Sequence, residues 1–100
     1  MGTLQQLIDI TSILKEEIKK LHFVSEDVLV SIDDKILRRA ELEKAMILGN
    51  GEKSKSKIVF ATIEGLKKVE TTVWAIDDLE VVLKAGIFIP VHTICNITVI

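Results

Sequence analysis

The sequence predicts a single α+β domain in which helices precede a run of short antiparallel strands. In the N-terminal part, apolar residues recur at steps of three and four, the period of an amphipathic helix. From position 57 onward, β-branched residues dominate and turn residues follow at intervals of about 8–12 positions, as in a β-meander. We predict an N-terminal helix over 3–21, a short strand, a turn and a second helix over 28–48, a mobile loop over 49–56, and a curled antiparallel β-meander or small barrel over 57–100.

Length and composition fit one ordinary domain. With 100 residues, 48% of them hydrophobic, the chain has enough apolar surface to fold without disulfides or a metal. The net charge of −2 gives no support to an obligate nucleic-acid binder, although it is compatible with a local basic patch. The single cysteine, Cys95, cannot form an intramolecular disulfide. The first residues lack the basic segment of a signal peptide and no apolar run reaches the ~18 residues of a membrane span, so we expect a cytoplasmic protein with no membrane partner.

The predicted first helix carries an apolar seam that suits either of two roles. Ile8, Ile10 and Ile13 widen the apolar surface beyond the seam, which favours packing against the chain's own sheet over a two-stranded coiled coil. Self-association through this helix stays open as the alternative. Its candidate face consists of Leu4, Leu7, Leu14, Ile18 and Leu21.

The middle of the chain predicts a strand over 28–32, a turn at Asp33-Asp34-Lys35 and a short helix over 39–48. Gly49 is placed just past the end of that helix, where a left-handed conformation is common. The polar residues that follow predict the mobile loop.

The predicted meander has apolar residues on both faces of its strands. In the strand over 57–63, apolar residues occupy nearly every position, and the residues around Trp74 are also apolar at consecutive positions. A sheet with one solvated face shows polar residues at every second position, so both faces are expected to be covered, either by a helix and a partner or by strong curling of the sheet. We expect Trp74 to anchor the core, the alternative being an exposed binding platform. The strands are predicted over 57–63, 67–76, 79–84, 87–91 and 94–99.

Two resemblances follow from these strands. The segment VETTVWAIDDLEVVLKAGIFIPVHTI resembles a pattern found in uncharacterised bacterial proteins of about 100 residues, of Bacteroidetes type, a family that implies no known activity. The rhythm of IEGLKKVETTVWAIDDLEVVLKAG is similar to the SH3-like small barrels of the Sm type, which implies a helix followed by five bent strands. In that pattern a second Gly eases the bend, and here Glu70 or Thr71 stands in its place. The RNA-reading loop motifs of the Sm type are missing, so this resemblance concerns shape.

No catalytic, metal or cofactor site is predicted, and we expect no enzyme. His92 and Cys95 are three residues apart, which places them on opposite faces of a strand. The adjacent acidic pairs Asp33-Asp34 and Asp77-Asp78 are explained by turn chemistry rather than by acid–base catalysis, which needs carboxyl groups in different environments.

The basic residues define the second functional hypothesis. A tight hairpin would place the lysines before the first strand of the meander and those in the second strand at opposite ends, as two patches. The candidate nucleic-acid contacts are Lys53, Lys55, Lys57, Lys67 and Lys68. The leading hypothesis is a non-enzymatic interaction or regulatory module, with self-association through the first helix or an open sheet edge as one form of it. The alternative is a small-barrel nucleic-acid-binding protein that uses these lysines.

Overall fold

The computed structural model describes residues 9–100, which form one α-helix and seven strands in two sheets. The four-stranded sheet has the order β1 (Ile10–Ser12), β3 (Gly65–Thr71), β2 (Ser56–Thr62) and β7 (Ile94–Val99). The three-stranded sheet has the order β4 (Val73–Ile76), β5 (Glu80–Leu83) and β6 (Ile87–Pro90). The α-helix, α1, spans Ile32–Glu52, and short 3-10 helices span Lys15–Lys20, Lys84–Gly86 and Val91–Thr93. All strand pairs are antiparallel except β1 with β3.

The predicted N-terminal helix is wrong where the structure describes it. Ile10–Ser12 form β1, which pairs in parallel with Leu66–Lys68, and a 3-10 helix follows at Lys15–Lys20. Positions 3–8 of that prediction lie outside the described residues. The apolar spacing suits a helix, but the β-branched Ile10 and Thr11 also suit a strand, and the exposed backbone of β3 supplies a pairing partner that spacing cannot reveal.

The helix in the middle of the chain is longer than predicted at both ends. Ser31 caps its N-terminus by accepting hydrogen bonds from the N–H groups of Asp33 and Asp34, so the predicted strand over 28–32 and the turn at 33–35 are wrong. The two aspartates occupy the first helical turn, where the helix dipole favours negative charge. At the other end Lys53 adopts the left-handed conformation (φ 59°) expected of Gly49, and the predicted loop over 49–56 is helical as far as Glu52.

The meander also departs from the prediction, because its strands divide between two sheets and do not form a closed barrel within residues 9–100. The strand predicted over 67–76 is two strands, β3 and β4, with Thr72 at the bend between them. The Thr72 carbonyl accepts a hydrogen bond from the Lys84 N–H, so the bend is also a pairing site. The 3-10 helix at Val91–Thr93 makes the corresponding change of sheet between β6 and β7.

The core lies between the two sheets and is closed at its sides by helices. α1 packs against β4 and β7, whereas the 3-10 helix at Lys15–Lys20 packs against β3 and β6. These contacts bury apolar side chains that water would otherwise surround, and this burial is the main favourable contribution to folding. The core residues with no measurable exposure include Leu42, Ile58, Phe60, Val73, Val81, Leu83, Ile89 and Ile94. Within residues 9–100, no helix has the length and apolar character required to cross a membrane.

Candidate functional site

The outer face of the three-stranded sheet carries an apolar row that the elements formed by residues 9–100 leave largely exposed. Ala75 pairs with Val82, and Val82 pairs with Phe88, so one row of apolar side chains crosses all three strands. The row beside it joins Glu80 to Pro90. The alternate positions along these strands point inward and are buried, as the period of a strand requires. We name the outward-pointing set the aromatic face: Trp74, Ala75, Val82, Phe88 and Pro90.

Trp74 and Phe88 are the most prominent residues of the aromatic face. The register of β4 against β5 shifts between Val73 and Ala75, so Trp74 is the extra residue of a β-bulge. Trp74 is 46% exposed and Phe88 is 51% exposed, whereas Val73 is fully buried. The expectation that Trp74 anchors the core is therefore wrong. The bulge turns the largest side chain of the strand away from the core.

The outer face of the four-stranded sheet provides an internal comparison. One row there runs Ser12, Lys68, Val59 and Asn96, and the next runs Glu70, Lys57 and Thr98. Polar side chains occupy every position of these rows except Val59, as expected for a sheet face in water. The following row, Ile10, Leu66 and Ala61, is apolar, so the four-stranded sheet follows the rule over part of its outer face. In the three-stranded sheet, by contrast, the apolar row with the two exposed aromatic residues crosses the centre of the face. Apolar patches with aromatic residues at their centre are typical of protein interfaces.

An apolar cavity adjoins the aromatic face at the β6 edge. It has a volume of about 370 Å³, and Phe88 lines it as well as standing in the aromatic face. Phe23, on the opposite wall, is held by its contact with buried Phe60, with ring centroids 6.0 Å apart. An apolar side chain resting on Phe88 could extend into this cavity. The apolar lining is Ile18, Leu21, Phe23, Ile87 and Phe88.

Two tight connections hold the strands of the aromatic face in register. The Asp77 carboxylate accepts hydrogen bonds from the N–H groups of Leu79 and Glu80, and these bonds lower the pKa of the Asp77 carboxyl group. At the other end of β5, Ala85 and Gly86 both have positive φ angles, 72° and 76°, in the turn to β6. The face is thus presented by short hairpins rather than by a long loop.

The sequence contains a partial signal for this face. Apolar residues on both sides of the strands near positions 57–63 and Trp74 indicate a covered or interacting sheet, but this pattern does not single out Val82 or Phe88. Each of these two residues stands where a strand with one solvated face would carry a polar residue. Their convergence in one row depends on the pairing of β5 with both neighbours, which the sequence does not specify.

The five predicted lysines do not lie on one surface. Lys57 pairs with Glu70 and Thr98, and Lys68 pairs with Val59, so Lys57 and Lys68 are diagonal neighbours on the outer face of the four-stranded sheet. This arrangement differs from the two patches expected at opposite ends of the hairpin. Lys67 follows the opposite side of β3 by strand alternation. Lys53 follows α1 and Lys55 precedes β2, outside the sheet.

The residues of the predicted self-association face are also divided. Ile18 is only 2% exposed and belongs to the core between the sheets, whereas Leu14 is 69% exposed and Leu21 is half-buried. Leu4 and Leu7 lie outside the described residues. The described members therefore do not form a continuous helical seam, because a 3-10 helix of six residues replaces the predicted α-helix.

The residues considered for catalysis or metal binding have separate structural partners. The His92 Nε2 atom lies 2.7 Å from the Val24 carbonyl oxygen, and the Cys95 thiol is 3.8 Å from the Thr93 carbonyl oxygen. Burial raises the pKa of the Cys95 thiol, which disfavours the nucleophilic thiolate. Across residues 9–100, no cluster of three or more His, Cys, Asp or Glu side chains has a metal-binding arrangement.

Two side-chain hydrogen-bonded pairs, which the sequence did not predict, tie the segment before α1 to the rest of the fold. The His22 Nδ1 atom is 2.6 Å from a Glu64 carboxylate oxygen, and this bond lowers the pKa of Glu64 to about 2. Arg38 in α1 donates two hydrogen bonds to the Asp27 carboxylate, at 2.9 and 2.8 Å, and a third to the Ile94 carbonyl oxygen in β7. Both pairs join elements that are distant in the sequence.

Comparisons with protein-family models, curated proteins and solved structures find no match to this chain. The choice between functions therefore depends on the geometry of its surfaces. Among these surfaces, the aromatic face combines two exposed aromatic side chains with an apolar row that crosses three paired strands.

Proposed function

We propose that this chain is a non-enzymatic interaction module that binds a protein partner through the aromatic face. The observation that carries the proposal is the row Ala75–Val82–Phe88, with Trp74 beside it, on a sheet face that no other described element covers. Aromatic residues at the centre of an interface contribute the largest share of binding energy in most protein complexes.

The amount of exposed aromatic surface is enough to matter for binding. Trp74 and Phe88 are each about half exposed, and side chains of this kind present roughly 150–250 Å² each, so together they leave about 200 Å² uncovered. Burial of this area is worth about 5 kcal/mol before the costs of association. Since association costs about 4–15 kcal/mol, a stable complex also needs the neighbouring residues or the adjoining cavity.

The proposal is tested with three immobilised forms of the protein: the wild type, the double variant Trp74→Glu/Phe88→Glu, and the control Ile47→Glu. Ile47 is 64% exposed on α1, so its variant places the same charge on an apolar residue away from the aromatic face. Each form is incubated with native lysate, and retained proteins are quantified by mass spectrometry. We expect a partner that the wild type and Ile47→Glu retain, with at least tenfold less on the double variant. Equal retention by all three forms would contradict the proposal.

Nucleic-acid binding receives less support from the same geometry. Glu70 lies directly opposite Lys57, and Lys57 and Lys68 lie on the sheet that does not carry Trp74 and Phe88. Single-strand binding combines a continuous basic groove with stacking aromatics, and here the two features are separated. The anisotropy of labelled single-stranded RNA, titrated with protein at low salt, distinguishes the two hypotheses. Salt-sensitive saturation at micromolar protein that is lost in Lys57→Glu/Lys68→Glu would favour nucleic acid.

A further inference from the structure

We propose that the partner seated on the aromatic face is a second copy of this chain, in a two-fold symmetric dimer that packs the two three-stranded sheets face to face. This inference rests on the proposed function and adds the identity of the partner. It follows from the placement of charge at the two ends of β5 and from the state of the sheet edges.

The charges at the two ends of β5 are complementary to themselves under two-fold symmetry. Glu80 and Val82 lie on the outer side of β5. Lys84 is exposed directly after β5, at the start of the 3-10 helix, and its N–H continues the pairing with β4 by donating a hydrogen bond to the Thr72 carbonyl oxygen. Val82 is thus midway in the sequence between an acid and a base. A two-fold axis that passes over Val82, in the plane between the faces and perpendicular to β5, places Glu80 of one copy over Lys84 of the other. A symmetric interface brings this pair together twice.

The same axis places each apolar residue of the row over the same residue of the other copy, and contacts between identical apolar side chains are favourable. Ala75, Val82 and Phe88 lie in one row across the strands, so each is brought over its own equivalent. Phe88 meets Phe88, and the Trp74 side chains of the two bulges meet at the other side of the sheet. None of these residues carries a charge, and paired aromatic rings gain attraction beyond the burial of area. A patch with a charged centre would repel itself in this arrangement.

The sheet edges do not offer an equally good route to self-association. β6, at one edge of the three-stranded sheet, has four residues, and one of them is Pro90, which has no N–H to donate to a new strand. β4, at the other edge, packs against α1. In the four-stranded sheet, β1 has three residues, and the Arg38 guanidinium hydrogen-bonds to Ile94 of β7. Contact between faces leaves all these edges undisturbed.

The area that a specific dimer needs extends beyond the two aromatic residues. A specific interface buries a total of ~1,000 Å² or more, which is ~500 Å² per copy. Trp74 and Phe88 supply about 200 Å² of this. The dimer therefore has to bury the remaining ~300 Å² per copy on the smaller members of the aromatic face and on Glu80 and Lys84.

Sedimentation velocity of the purified full chain, from about 1 to 500 μM, tests the inference. We expect a concentration-dependent dimer of the wild type and of the control Ile47→Glu. In Phe88→Glu we expect the dimer to be lost over this range, because two buried carboxylates would face each other. Circular dichroism of each variant checks that it is folded.

A charge exchange between Glu80 and Lys84 tests the arrangement without touching the apolar row. Glu80→Lys and Lys84→Glu each place like charges together twice, so we expect each single variant to weaken the dimer by about tenfold at low salt. The double variant Glu80→Lys/Lys84→Glu restores both pairs and is expected to recover wild-type dissociation. Failure of the double variant to recover would overturn the proposed axis.

The outcomes separate this inference from the proposed function. A wild type that is strictly monomeric at 500 μM, or a dimer that persists in Phe88→Glu, overturns the second copy as the partner. A monomeric wild type that still retains a lysate protein through Trp74 and Phe88 would overturn this inference and leave the proposed function standing. A dimer sensitive to Phe88→Glu, with the native chain itself as the protein that the immobilised wild type and Ile47→Glu retain, supports both.

Discussion

At the scale of single residues, Gly49 determines how closely α1 approaches the three-stranded sheet. It lies within the helix on the same face as Leu42 and Ala45, and it is buried. A Cβ atom built at this position would overlap the Val73 carbonyl oxygen and lie 3.0 Å from the Thr72 Cγ2 atom. Glycine is thus required here for close contact and not for an unusual backbone angle. Gly51, two residues further along the helix, has no atom within 4 Å of the corresponding position.

The two glycines predict opposite effects of the same substitution. Gly49→Ala should lower the free energy of unfolding by about 1–3 kcal/mol, because the new methyl group forces α1 away from Val73. Gly51→Ala should raise it by about 0.5–1 kcal/mol, because alanine loses less conformational entropy in a helix. Urea denaturation followed by circular dichroism measures both. A shift in the same direction for both variants would contradict the close approach seen at Gly49.

At the scale of secondary-structure elements, the 3-10 helix at Lys15–Lys20 closes the open side of the core between β3 and β6. Its single buried residue is Ile18, and its other residues carry charges directed to solvent. The Glu17 carboxylate accepts a hydrogen bond from the Leu14 N–H at 2.7 Å, which holds the first turn. The element contributes to the core through one side chain, unlike the broad apolar stripe of an amphipathic α-helix.

This difference predicts that substitutions at Ile18 and Leu14, which the sequence placed on one helical face, lower the stability of the fold by unequal amounts. Ile18→Ala should lower the free energy of unfolding by about 2–5 kcal/mol, because it leaves a cavity between the sheets. Leu14→Ala should change it by less than about 0.5 kcal/mol, because that side chain is 69% exposed. Chemical denaturation of the two variants provides the measurement. Equal losses at both positions would indicate a continuous helical face instead of the observed element.

At the scale of the whole molecule, Arg38 connects three parts of the chain that are distant in sequence. From α1 it binds Asp27 in the segment before the helix and Ile94 in β7, and its side chain is only 6% exposed. These hydrogen bonds lower the pKa of Asp27 to about 2, against an opposing contribution from partial burial. Because the folded-state pKa lies below the usual value near 3.8, the ion pair stabilises the fold above about pH 4 and loses this contribution as the pH falls through about 2.

The acid stability of the protein should therefore depend on Asp27. Asp27→Asn should lower the free energy of unfolding at pH 7 by about 3 kcal/mol, because it leaves a buried guanidinium without its counter-ion. The gap between wild type and variant should narrow as the pH is lowered from 5 to 2. The matched control is Glu43→Gln, which removes an exposed partner of Arg39 at 3.5 Å and should cost less than about 0.5 kcal/mol. A gap of constant size across this pH range would show that the Asp27 charge does not act as described.

The division between correct and incorrect predictions follows the range of the interactions involved. The turn at Asp77-Asp78 and the turn at Ala85-Gly86 separate the strands as expected, because turn chemistry acts over a few neighbouring residues. The capping of α1 by Ser31 is also a local signal, since a capping residue is followed by two acids, but the β-branched residues before it favour a strand when only the sequence is considered. The N-terminal helix was wrong because β3, more than fifty residues away, supplies a backbone partner for Ile10–Ser12.

The aromatic face also depends on both local and long-range features: its apolar composition is visible in the sequence, and its position depends on strand pairing. The excess of apolar residues over what one small sheet can cover was evident in the sequence, and it led directly to the hypothesis of an interaction module. The position of that excess was not evident. The bulge at Trp74 and the pairing of Val82 with both Ala75 and Phe88 depend on the register between three strands. A one-residue slip would move each of these side chains to the other face of the sheet.

By itself, the sequence determined the local features of this protein: the turn-separated strands of the C-terminal half, a helix in the middle of the chain, and a surplus of apolar residues. These features depend on backbone preferences and on side-chain spacing, which act between near neighbours. The tertiary structure alone decided that the meander divides into two sheets at Thr72, that Ile18 enters the core while Trp74 leaves it, and that Glu80 and Lys84 flank an apolar row. Those outcomes depend on which strands pair and in which register. Strand pairing joins residues that are far apart in the sequence, so patterns among neighbouring residues do not reveal it.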